Sequence, residues 1–479
     1  MDWKPDRSSS IPLHVQITEY VKRKILYGEW TVGTKLPSQR ALAEQFSVNR
    51  STVVTALQEL AADGFIESKV GSGTMVANNT WSLLASAPPP DWISYVRSGI
   101  HELNLTVIQK INEAEADPNM IRLSTGELSP ELMPKEQVIE NLLRDKKKNL
   151  SLNYEEPKGN RELRETISQY LKGKGIEAGP SSILIVSGAL QALQLISVGL
   201  LKRGSIILHE TPSYLNSVHV FQSAGMNLMG IPMDEEGIKI QAISRLKRQH
   251  RAALLYTIPS FHNPTGTLMT AERRKQLLNI CMKESLPMIE DDVYGELWLD
   301  APPPKPMKAD DSQGVVLYIG SVSKSLSPGL RIGWVVGPEP VIERLADIKM
   351  QTDYGSSSVS QWIINQWIKG GHYEEYLQRV RAELKYRRDF MVHLLNRYFS
   401  QLAVWKIPPG GFYIWLKLKT GSSVRKLFDI ALREGILINP GSIYDSDCQE
   451  YIRLSYAYAS LEELDKGLKI LSELIQRLK

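Results

Sequence analysis

The sequence predicts a multidomain chain in which a small N-terminal α+β unit precedes a large α/β unit made of two subdomains. Its 479 residues exceed what a single hydrophobic core usually organises. Residues 1–77 contain three stretches with apolar residues at helical spacing, and a hairpin pattern follows them. From residue 118 onward, apolar strand patterns alternate with helical ones, which is typical of a mostly parallel sheet.

Three helices are predicted in the N-terminal unit. Apolar residues at helical spacing indicate a first helix that ends near Gly28, and a short second helix is expected to follow Leu36-Pro37-Ser38. Asn49 is suited to cap a third helix. That helix separates its residues into two faces, with Val53, Ala56, Leu57 and Leu60 inward and Arg50, Ser51, Thr55 and Gln58 outward.

A glycine-bearing hairpin is predicted after the third helix. The strand patterns Phe65-Ile66-Glu67 and Thr74-Met75-Val76 flank residues 68–73. Helices, turn and hairpin together form a winged helix-turn-helix, which favours DNA reading, with protein contact as the alternative. Residues 1–76 carry nine Lys/Arg and eight Asp/Glu, so no strongly basic footprint supports the choice.

The run from Leu36-Pro37-Ser38-Gln39-Arg40 to Val48-Asn49-Arg50-Ser51-Thr52-Val53 resembles the GntR family of bacterial repressors. The resemblance implies that Arg40 and Arg50 contact DNA and that the wing glycines approach the minor groove. Asn49 replaces a common serine, and both residue types cap helices. The candidate DNA-binding residues are Arg40, Asn49, Arg50, Ser51, Thr52, Lys69, Gly71 and Gly73.

In the large unit, Lys324 lies in the run Ser321-Val322-Ser323-Lys324, and Arg331 follows seven residues later. A neutral amine forms a Schiff base with an aldehyde, and hydroxyls beside a guanidinium can hold a phosphate dianion. A lone lysine is usually a solvated surface charge, so the prediction of a Schiff-base lysine depends on the residues around Lys324. The run resembles the lysine signature of the fold-type I pyridoxal-phosphate enzymes, the aspartate aminotransferase-like family.

That resemblance extends to a phosphate cup built from two segments. The first segment follows the apolar strand pattern 183–186 and begins a helix, whose free N–H groups would face a phosphate. Relatives often carry a hydroxyl at the Ala189 position and a glutamine at the Leu190 position, so this chain is expected to rely more on backbone donors. The implied cup residues are Ser187, Gly188, Ala189, Ser321, Ser323 and Arg331.

A run of acids ends the strand pattern that begins at residue 287. The family spacing of three residues between an aspartate and a tyrosine selects Asp291 and Tyr294 over Asp292. An ionised Asp291 would keep the pyridine nitrogen protonated, which makes the ring an electron sink. Chemistry alone does not make this choice, because Asp292 carries the same group.

Four more positions match residues of the family's site. Tyr214 matches the aromatic residue that stacks on the pyridine ring, and Asn263 matches the donor to the phenolic oxygen. Tyr154 resembles the tyrosine that reaches the phosphate of the neighbouring subunit, which implies a dimer. Arg453 matches the arginine that binds a substrate carboxylate, for which a planar bidentate donor is well suited.

Composition indicates an intracellular protein. Basic and acidic residues nearly balance, 57 against 53, and 42% of the residues are hydrophobic. Cys281 and Cys448 lie far apart in the sequence and lack metal-ligand spacing. We therefore expect a reducing cytoplasm, and we expect neither a disulfide nor a metal site. The most apolar stretch, 183–201, is interrupted by Gln191 and Gln194, which argues against a membrane span. The N-terminus lacks an apolar signal core.

The expected boundaries are 1–77 for the winged helix-turn-helix, 78–117 for a linker with a helix, and 118–479 for the aminotransferase-like domain. The linker contains the proline run Pro88-Pro89-Pro90, which breaks helices. Amphipathic spacing then returns over 94–114 and predicts a helix that packs on one of the units. Residues after Tyr373 suit the family's smaller C-terminal subdomain.

A GntR-type reader ahead of an aminotransferase-like domain is the layout of the MocR/GabR family of bacterial transcription regulators, which the chain resembles over nearly its whole length. The resemblance implies pyridoxal phosphate on Lys324, a homodimer, operator DNA as a partner, and a small amino-group effector sensed through an external aldimine. The leading hypothesis is a cofactor-dependent transcription regulator. Two alternatives stay open: an active aminotransferase with a DNA-binding appendage, and a repressor that senses pyridoxal phosphate itself.

Overall fold

The computed structural model describes residues 3–69, 73–78, 92–98, 105–138, 153–419 and 423–478. The chain divides into two compact units, Met1–Ile100 and His101–Lys479. Within the described ranges, none of the helices combines the length and the apolar character needed to cross a membrane.

The N-terminal unit is a winged helix-turn-helix, as predicted. Ser38 caps the second helix by accepting a hydrogen bond from the Ala41 amide at 3.2 Å. The inward face of the third helix is buried as its spacing predicts, and the residues predicted to face outward, Arg50, Ser51, Thr55 and Gln58, are exposed. The described elements are α1 (Leu13–Leu26), α2 (Gln39–Phe46), α3 (Arg50–Ala62), β1 (Ile66–Lys69), β2 (Gly73–Val76) and α4 (Trp92–Ser98).

The wing is an antiparallel hairpin of β1 and β2, in register from Ile66 opposite Val76 to Lys69 opposite Gly73. Gly64 has φ +76°, a conformation that glycine adopts without strain, and it separates α3 from the wing. The wing tip at 70–72 lies outside the described residues. Asn49 occupies the N-cap position of α3, but its side chain makes no capping hydrogen bond, which differs from the predicted cap.

The stretch predicted as one amphipathic helix over 94–114 holds two helices, α4 and α5 (Thr106–Glu115). Leu105 is the residue before α5, and its ψ of 140° is extended rather than helical. Residues 79–91 and 99–104, which include the proline run, lie outside the described residues. Helix α5 buries Ile108, Ile111 and Ala114 in the C-terminal unit.

A mixed sheet forms the centre of the C-terminal unit, and its described part has eight strands in the order β4-β11-β10-β9-β8-β5-β6-β7. Strands from β10 through β6 run parallel, whereas β11 is antiparallel to both neighbours. The strands are β4 (Ile183–Val186), β5 (Ile206–Thr211), β6 (Asn227–Asp234), β7 (Gly237–Ile238), β8 (Leu254–Thr257), β9 (Met288–Asp291), β10 (Val316–Ser321) and β11 (Gly333–Val336).

Every residue of β4, β8, β9, β10 and β11 is buried, so helices and loops cover both faces at the sheet's centre. This explains their continuous apolar runs. The helices before the smaller subdomain are α6 (Arg161–Lys172), α7 (Ala189–Leu200), α8 (Val220–Ser223), α9 (Ile243–His250), α10 (Ala271–Lys283), α11 (Glu339–Thr352), α12 (Ser358–Lys369) and α13 (His372–Phe399).

The smaller subdomain follows α13 and contains a sheet with the strand order β12-β13-β16-β15. A separate parallel pair joins β14 near the C-terminus to β3 at the start of the unit. The remaining elements are β3 (Ile121–Arg122), β12 (Ala403–Trp405), β13 (Tyr413–Leu418), α14 (Val424–Arg433), β14 (Ile436–Leu437), β15 (Asn439–Pro440), β16 (Tyr451–Ser455) and α15 (Leu461–Arg477).

Candidate functional site

Lys324 follows β10 and lines a cavity of about 410 Å³. Its Nζ donates to the Gly126 carbonyl oxygen at 2.6 Å, which fixes the direction of the side chain. Parallel strands end at the same edge of a sheet, so residues that follow different strands meet here. Of the residues predicted for the site, the cavity is lined by Ala189, Tyr214, Asn263, Asp291, Tyr294, Ser321, Ser323, Lys324, Arg331 and Arg453.

One end of the cavity is organised by Arg331. Its guanidinium donates to the Ser187 carbonyl oxygen at 2.7 Å and to the Ser323 hydroxyl at 3.4 Å. Gly188 has φ +90°, and a Cβ atom there would lie 2.6 Å from Arg331 Nη2. Only glycine therefore fits between Ser187 and the arginine. The Ser321 hydroxyl stiffens the same loop, since it accepts from the Ser323 amide at 3.1 Å.

Helix α7 begins at this end of the cavity. Ala189 and Leu190 line the cavity, so the helix presents its N-terminal turn to it. Gln191, one position after the expected glutamine, accepts a hydrogen bond from the Ser187 amide at 2.7 Å. It also donates to Asp353. Free amides at the helix start and the Arg331 guanidinium together suit a dianion.

The opposite end carries a buried acid. Asp291 is the last residue of β9, and it accepts from the Tyr256 hydroxyl at 2.7 Å. Burial raises the pKa of Asp291 to about 6, and the Tyr256 hydrogen bond limits the rise. The neighbouring Asp292 points to the Tyr318 hydroxyl at 2.9 Å. Asp291 therefore lines the cavity, whereas Asp292 belongs to a structural network.

Arg453 lies on β16 and is only 6% exposed. It donates to Asn263 Oδ1 and to the Ser124 carbonyl oxygen, both at 2.8 Å. Among the described residues its Nε has no hydrogen-bond partner. Burial opposes its charge, but the phenols of Tyr413 and Tyr444 raise the pKa of Arg453 overall. A permanent cation therefore faces the cavity.

Two tyrosines and an asparagine complete this wall. The Tyr294 hydroxyl lies 3.0 Å from the Tyr413 hydroxyl, and Tyr214 lies in the short 3-10 turn Tyr214–Ser217. Burial raises the pKa of Tyr214 above its ordinary range, so its hydroxyl stays protonated. Asn263 uses Oδ1 to accept from Arg453, which leaves Nδ2 as its donor toward the cavity.

Tyr154 lies apart from its own chain's cavity. Its side chain is 80% exposed, and its ring packs against that of Tyr354 with 5.0 Å between the centroids. A large exposed aromatic residue is available to a second subunit.

Sequence reasoning missed several residues that shape the cavity. Gly126 approaches so closely that a Cβ atom there would lie 2.2 Å from the Tyr413 hydroxyl. The pair Gly410-Gly411 directly before Phe412 and Tyr413 was a turn signal that could have pointed to this wall. Other missed lining residues include Ile108, Ile111, Asn112, Glu115, Thr125, Asn439 and Tyr444.

The donor set fits pyridoxal phosphate. Arg331, the glycine at 188 and the start of α7 form a cradle for a phosphate, which a side chain at position 188 would fill. A carboxylate that can pair with a pyridinium, that of Asp291, lines the same cavity as Lys324. The cavity volume falls in the range of small-molecule sites.

The candidate DNA-binding residues cluster on α2, α3 and the wing. Arg40 is 89% exposed and lies 3.6 Å from Glu44, whereas Arg50 begins α3 and donates to Gln39 at 3.0 Å. Ser51 is exposed and Thr52 is half-buried. Gly73 begins β2 with φ +90°. Gly71 and the side chain of Lys69 lie outside the described residues.

Family models match both units. The model for bacterial regulatory proteins of the gntR family matches residues 13–76, and the model for aminotransferase class I and II matches residues 118–471. The second match covers well over half of the chain.

Relatives and solved structures agree with these matches. The HTH-type transcriptional regulator YisV of Bacillus subtilis (strain 168) is 56% identical over 476 residues, which cover 99% of this chain and 98% of the relative. NorG of Staphylococcus aureus (strain USA300), also an HTH-type transcriptional regulator, is 37% identical over 445 residues, 91% of this chain and 98% of its own.

A kynurenine aminotransferase from Pyrococcus horikoshii, solved in complex with PMP, aligns with a TM-score of 0.73 at 32% identity. The alignment covers 78% of this chain and 95% of that one. The chain therefore belongs to the aminotransferase class I and II family and to the gntR family of bacterial regulatory proteins, a fusion that is the architecture of the MocR/GabR transcription regulators.

Proposed function

We propose that the chain is a cytoplasmic regulator that binds operator DNA through α2, α3 and the wing, and that senses a small amino compound at Lys324. The single observation that carries the proposal is one cavity that joins Lys324, Asp291, Arg331 and Arg453. A DNA-binding unit precedes this cavity in the same chain.

The residues divide the binding of pyridoxal phosphate among them. When bound, the cofactor supplies an aldehyde that reacts with amines and a ring that withdraws electrons. Lys324 would provide the amine that holds it covalently, and Arg331 with the start of α7 would hold the phosphate. Asp291 would pair with a protonated pyridine nitrogen, and Tyr214 would contribute an aromatic face to the ring's binding site.

Arg453 selects the effector's second group. Its buried guanidinium, with Nε free among the described residues, is suited to a carboxylate. A compound that carries an amine and a carboxylate can therefore approach Lys324 and Arg453 together. Asn263 orients the arginine, since its Oδ1 accepts one of the guanidinium hydrogen bonds.

A homodimer completes each site in this proposal. Tyr154 is exposed on its own chain and would reach the phosphate of the neighbouring subunit. Two DNA-binding units on one dimer would read repeated half-sites in the operator. Arg40, Arg50 and the wing glycines would supply the contacts, with Asn49, Ser51, Thr52 and Lys69 beside them.

Labelling tests the lysine directly. The full-length protein is loaded with pyridoxal phosphate, reduced with borohydride and mapped by peptide mass. We expect the label on Lys324, and its loss together with the visible absorbance in Lys324→Ala, while the far-UV spectrum stays unchanged. Lys275→Ala, on the exposed side of α10, is the matched control and should keep the label. A label on another lysine contradicts the assignment.

An aminotransferase with a DNA-binding appendage is a second candidate, because the acid, lysine and arginine that transamination needs share the cavity. Turnover of an amino donor with a keto acid distinguishes the two. Response to pyridoxal phosphate alone, without any amine, would instead favour a repressor of vitamin B6 status.

A further inference from the structure

Helix α5, which the sequence assigned to the linker, lines the Lys324 cavity with one face. Its contributions are Ile108, Ile111, Asn112 and Glu115. These positions follow the i, i+3, i+4, i+7 spacing of a single helical stripe. Ile108 and Ile111 make the first half of the stripe apolar, and Asn112 and Glu115 make the second half polar. The helix can therefore contact both an apolar and a polar part of a ligand.

Glu115 lies close to the reactive end of the cavity. Its Oε1 accepts a hydrogen bond from the Thr125 hydroxyl at 2.9 Å. Thr125 is 3% exposed, and the next residue, Gly126, accepts the hydrogen bond from Lys324 Nζ. A short covalent and hydrogen-bonded path therefore links the carboxylate of Glu115 to the lysine.

The position of Glu115 does not serve the helix. It is the last residue of α5, where the macrodipole is negative and a carboxylate is unfavourable. Within the part of the chain that the structure describes, the Thr125 hydroxyl is the one side-chain donor bonded to it. Lys110 on the same helix pairs elsewhere, with Asp429 at 2.6 Å. The charge of Glu115 is therefore directed to the cavity rather than used in an ion pair of the helix.

The cavity thus carries charges of both signs near Lys324. Arg453 supplies the cation. Burial is the largest cause of the raised pKa of Tyr444, and the nearby Glu115 carboxylate adds to the raised pKa of both Tyr444 and Arg453. Asp291 supplies the other carboxylate, at the end of the cavity where the Tyr256 hydroxyl donates to it. A ligand whose carboxylate binds Arg453 still leaves Glu115 without a cationic partner.

We propose that Glu115 is a specificity-determining residue that selects effectors with a second cationic group beyond the amine and carboxylate of the proposed function. The apolar Ile108 and Ile111 suit a methylene chain, and the carboxylate of Glu115 suits the ammonium at its end. The ligand class is therefore a diamino acid. This inference rests on amino-compound sensing at Lys324.

Visible-spectrum titrations of the full-length protein loaded with pyridoxal phosphate test this proposal. The probes are L-ornithine, its near-isosteric neutral counterpart L-norleucine, and the anionic L-glutamate. We expect ornithine to bind roughly tenfold more tightly than norleucine, which corresponds to about 1.4 kcal/mol, and glutamate to bind most weakly. In Glu115→Gln, which keeps an acceptor for Thr125, the ornithine preference should vanish while norleucine affinity is retained.

Glu113→Gln is the matched control, since Glu113 is exposed on the same helix and does not line the cavity. It should keep the wild-type preference. Equal affinity for ornithine and norleucine in the wild type overturns the role of Glu115 alone, as does a preference that survives in Glu115→Gln. An equal loss of affinity for all three probes in that variant indicates a merely structural role and also overturns it. If none of the three probes changes the visible spectrum, the proposal that the protein senses an amino compound at Lys324 is itself overturned.

Discussion

The guanidinium carbon of Arg453 lies 4.1 Å from the centre of the Tyr413 ring. Both side chains are buried, and the Tyr413 hydroxyl lies 3.0 Å from that of Tyr294. A cation held over an aromatic face is oriented as well as stabilised. Tyr413 is therefore a positioning residue for the proposed carboxylate site.

Replacing Tyr413 tests this positioning. Tyr413→Phe keeps the aromatic face, so its affinity for amino acids should change little. Tyr413→Leu removes the face, and a desolvated cation–π contact is worth about 0.5–2 kcal/mol, so amino-acid affinity should fall by that amount. Spectral titration measures both variants, with Tyr386→Leu as an exposed control. Equal losses in the Phe and Leu variants would show that the hydroxyl, not the ring, matters.

The raised pKa of Asp291 predicts a pH-dependent stability. Its pKa is about 6 in the folded chain against an ordinary 3.8. Above pH 6 both states are ionised and the full cost of the buried charge, up to about 3 kcal/mol, opposes folding. Below pH 3.8 both are protonated and the cost is absent.

Asp291→Asn should therefore stabilise the cofactor-free protein at pH 8, and the gain should shrink toward pH 5. The same variant should bind pyridoxal phosphate more weakly, because the pyridinium loses its counter-charge. Thermal unfolding across this pH range measures the first effect. A stability gain that is constant with pH contradicts the raised pKa.

Mixed dimers test the contribution of Tyr154. In the proposed homodimer, Tyr154→Phe and Lys324→Ala would each damage a site to which both subunits contribute. A mixed dimer should regain one intact site, with Lys324 from one chain and Tyr154 from the other, and should retain pyridoxal phosphate through gel filtration. Tyr386→Phe mixed with Lys324→Ala is the control. If mixing restores no more cofactor than the sum of the parents, Tyr154 does not act across subunits.

Arg50 is expected to read base edges, because it begins α3 and its side chain is exposed. Such an arginine contributes about 1–3 kcal/mol of discrimination, so Arg50→Ala should weaken operator binding more than binding to random DNA. Arg23→Ala, an exposed arginine on α1, is the control. Gel-shift series with both DNAs measure the ratio, and an unchanged ratio refutes the role.

The elements that local chemistry specifies were predictable from the sequence. The buried face of α3 and the Ser38 cap follow from helical spacing and side-chain type. The strand ending at Asp291 follows from its apolar run. Asp291 could be distinguished from Asp292 only through the family spacing, since both carry the same carboxylate.

The parts that were missed depend on contacts between distant segments. Lys324 and Gly126 are separated by 198 residues. Lys324 follows β10 of the large sheet, whereas Gly126 follows β3, which belongs to a separate pair with β14. Glu115 was assigned to a linker, because helical spacing shows that a face is apolar but not which surface covers it. The same limit hid Tyr413, whose partner Arg453 belongs to the adjacent strand.

A reciprocal linkage titration tests most directly whether the Lys324 cavity and the DNA-binding unit act as one switch. Operator affinity is measured with and without a saturating amino acid that changes the visible spectrum, and amino-acid affinity is measured with and without operator. The amino acid should change operator affinity by the same factor by which operator changes amino-acid affinity, about 5–150-fold. For a carboxylate-bearing ligand, both changes in affinity should disappear in Arg453→Met. A ligand that changes the spectrum yet leaves operator affinity unchanged would contradict sensing through this cavity.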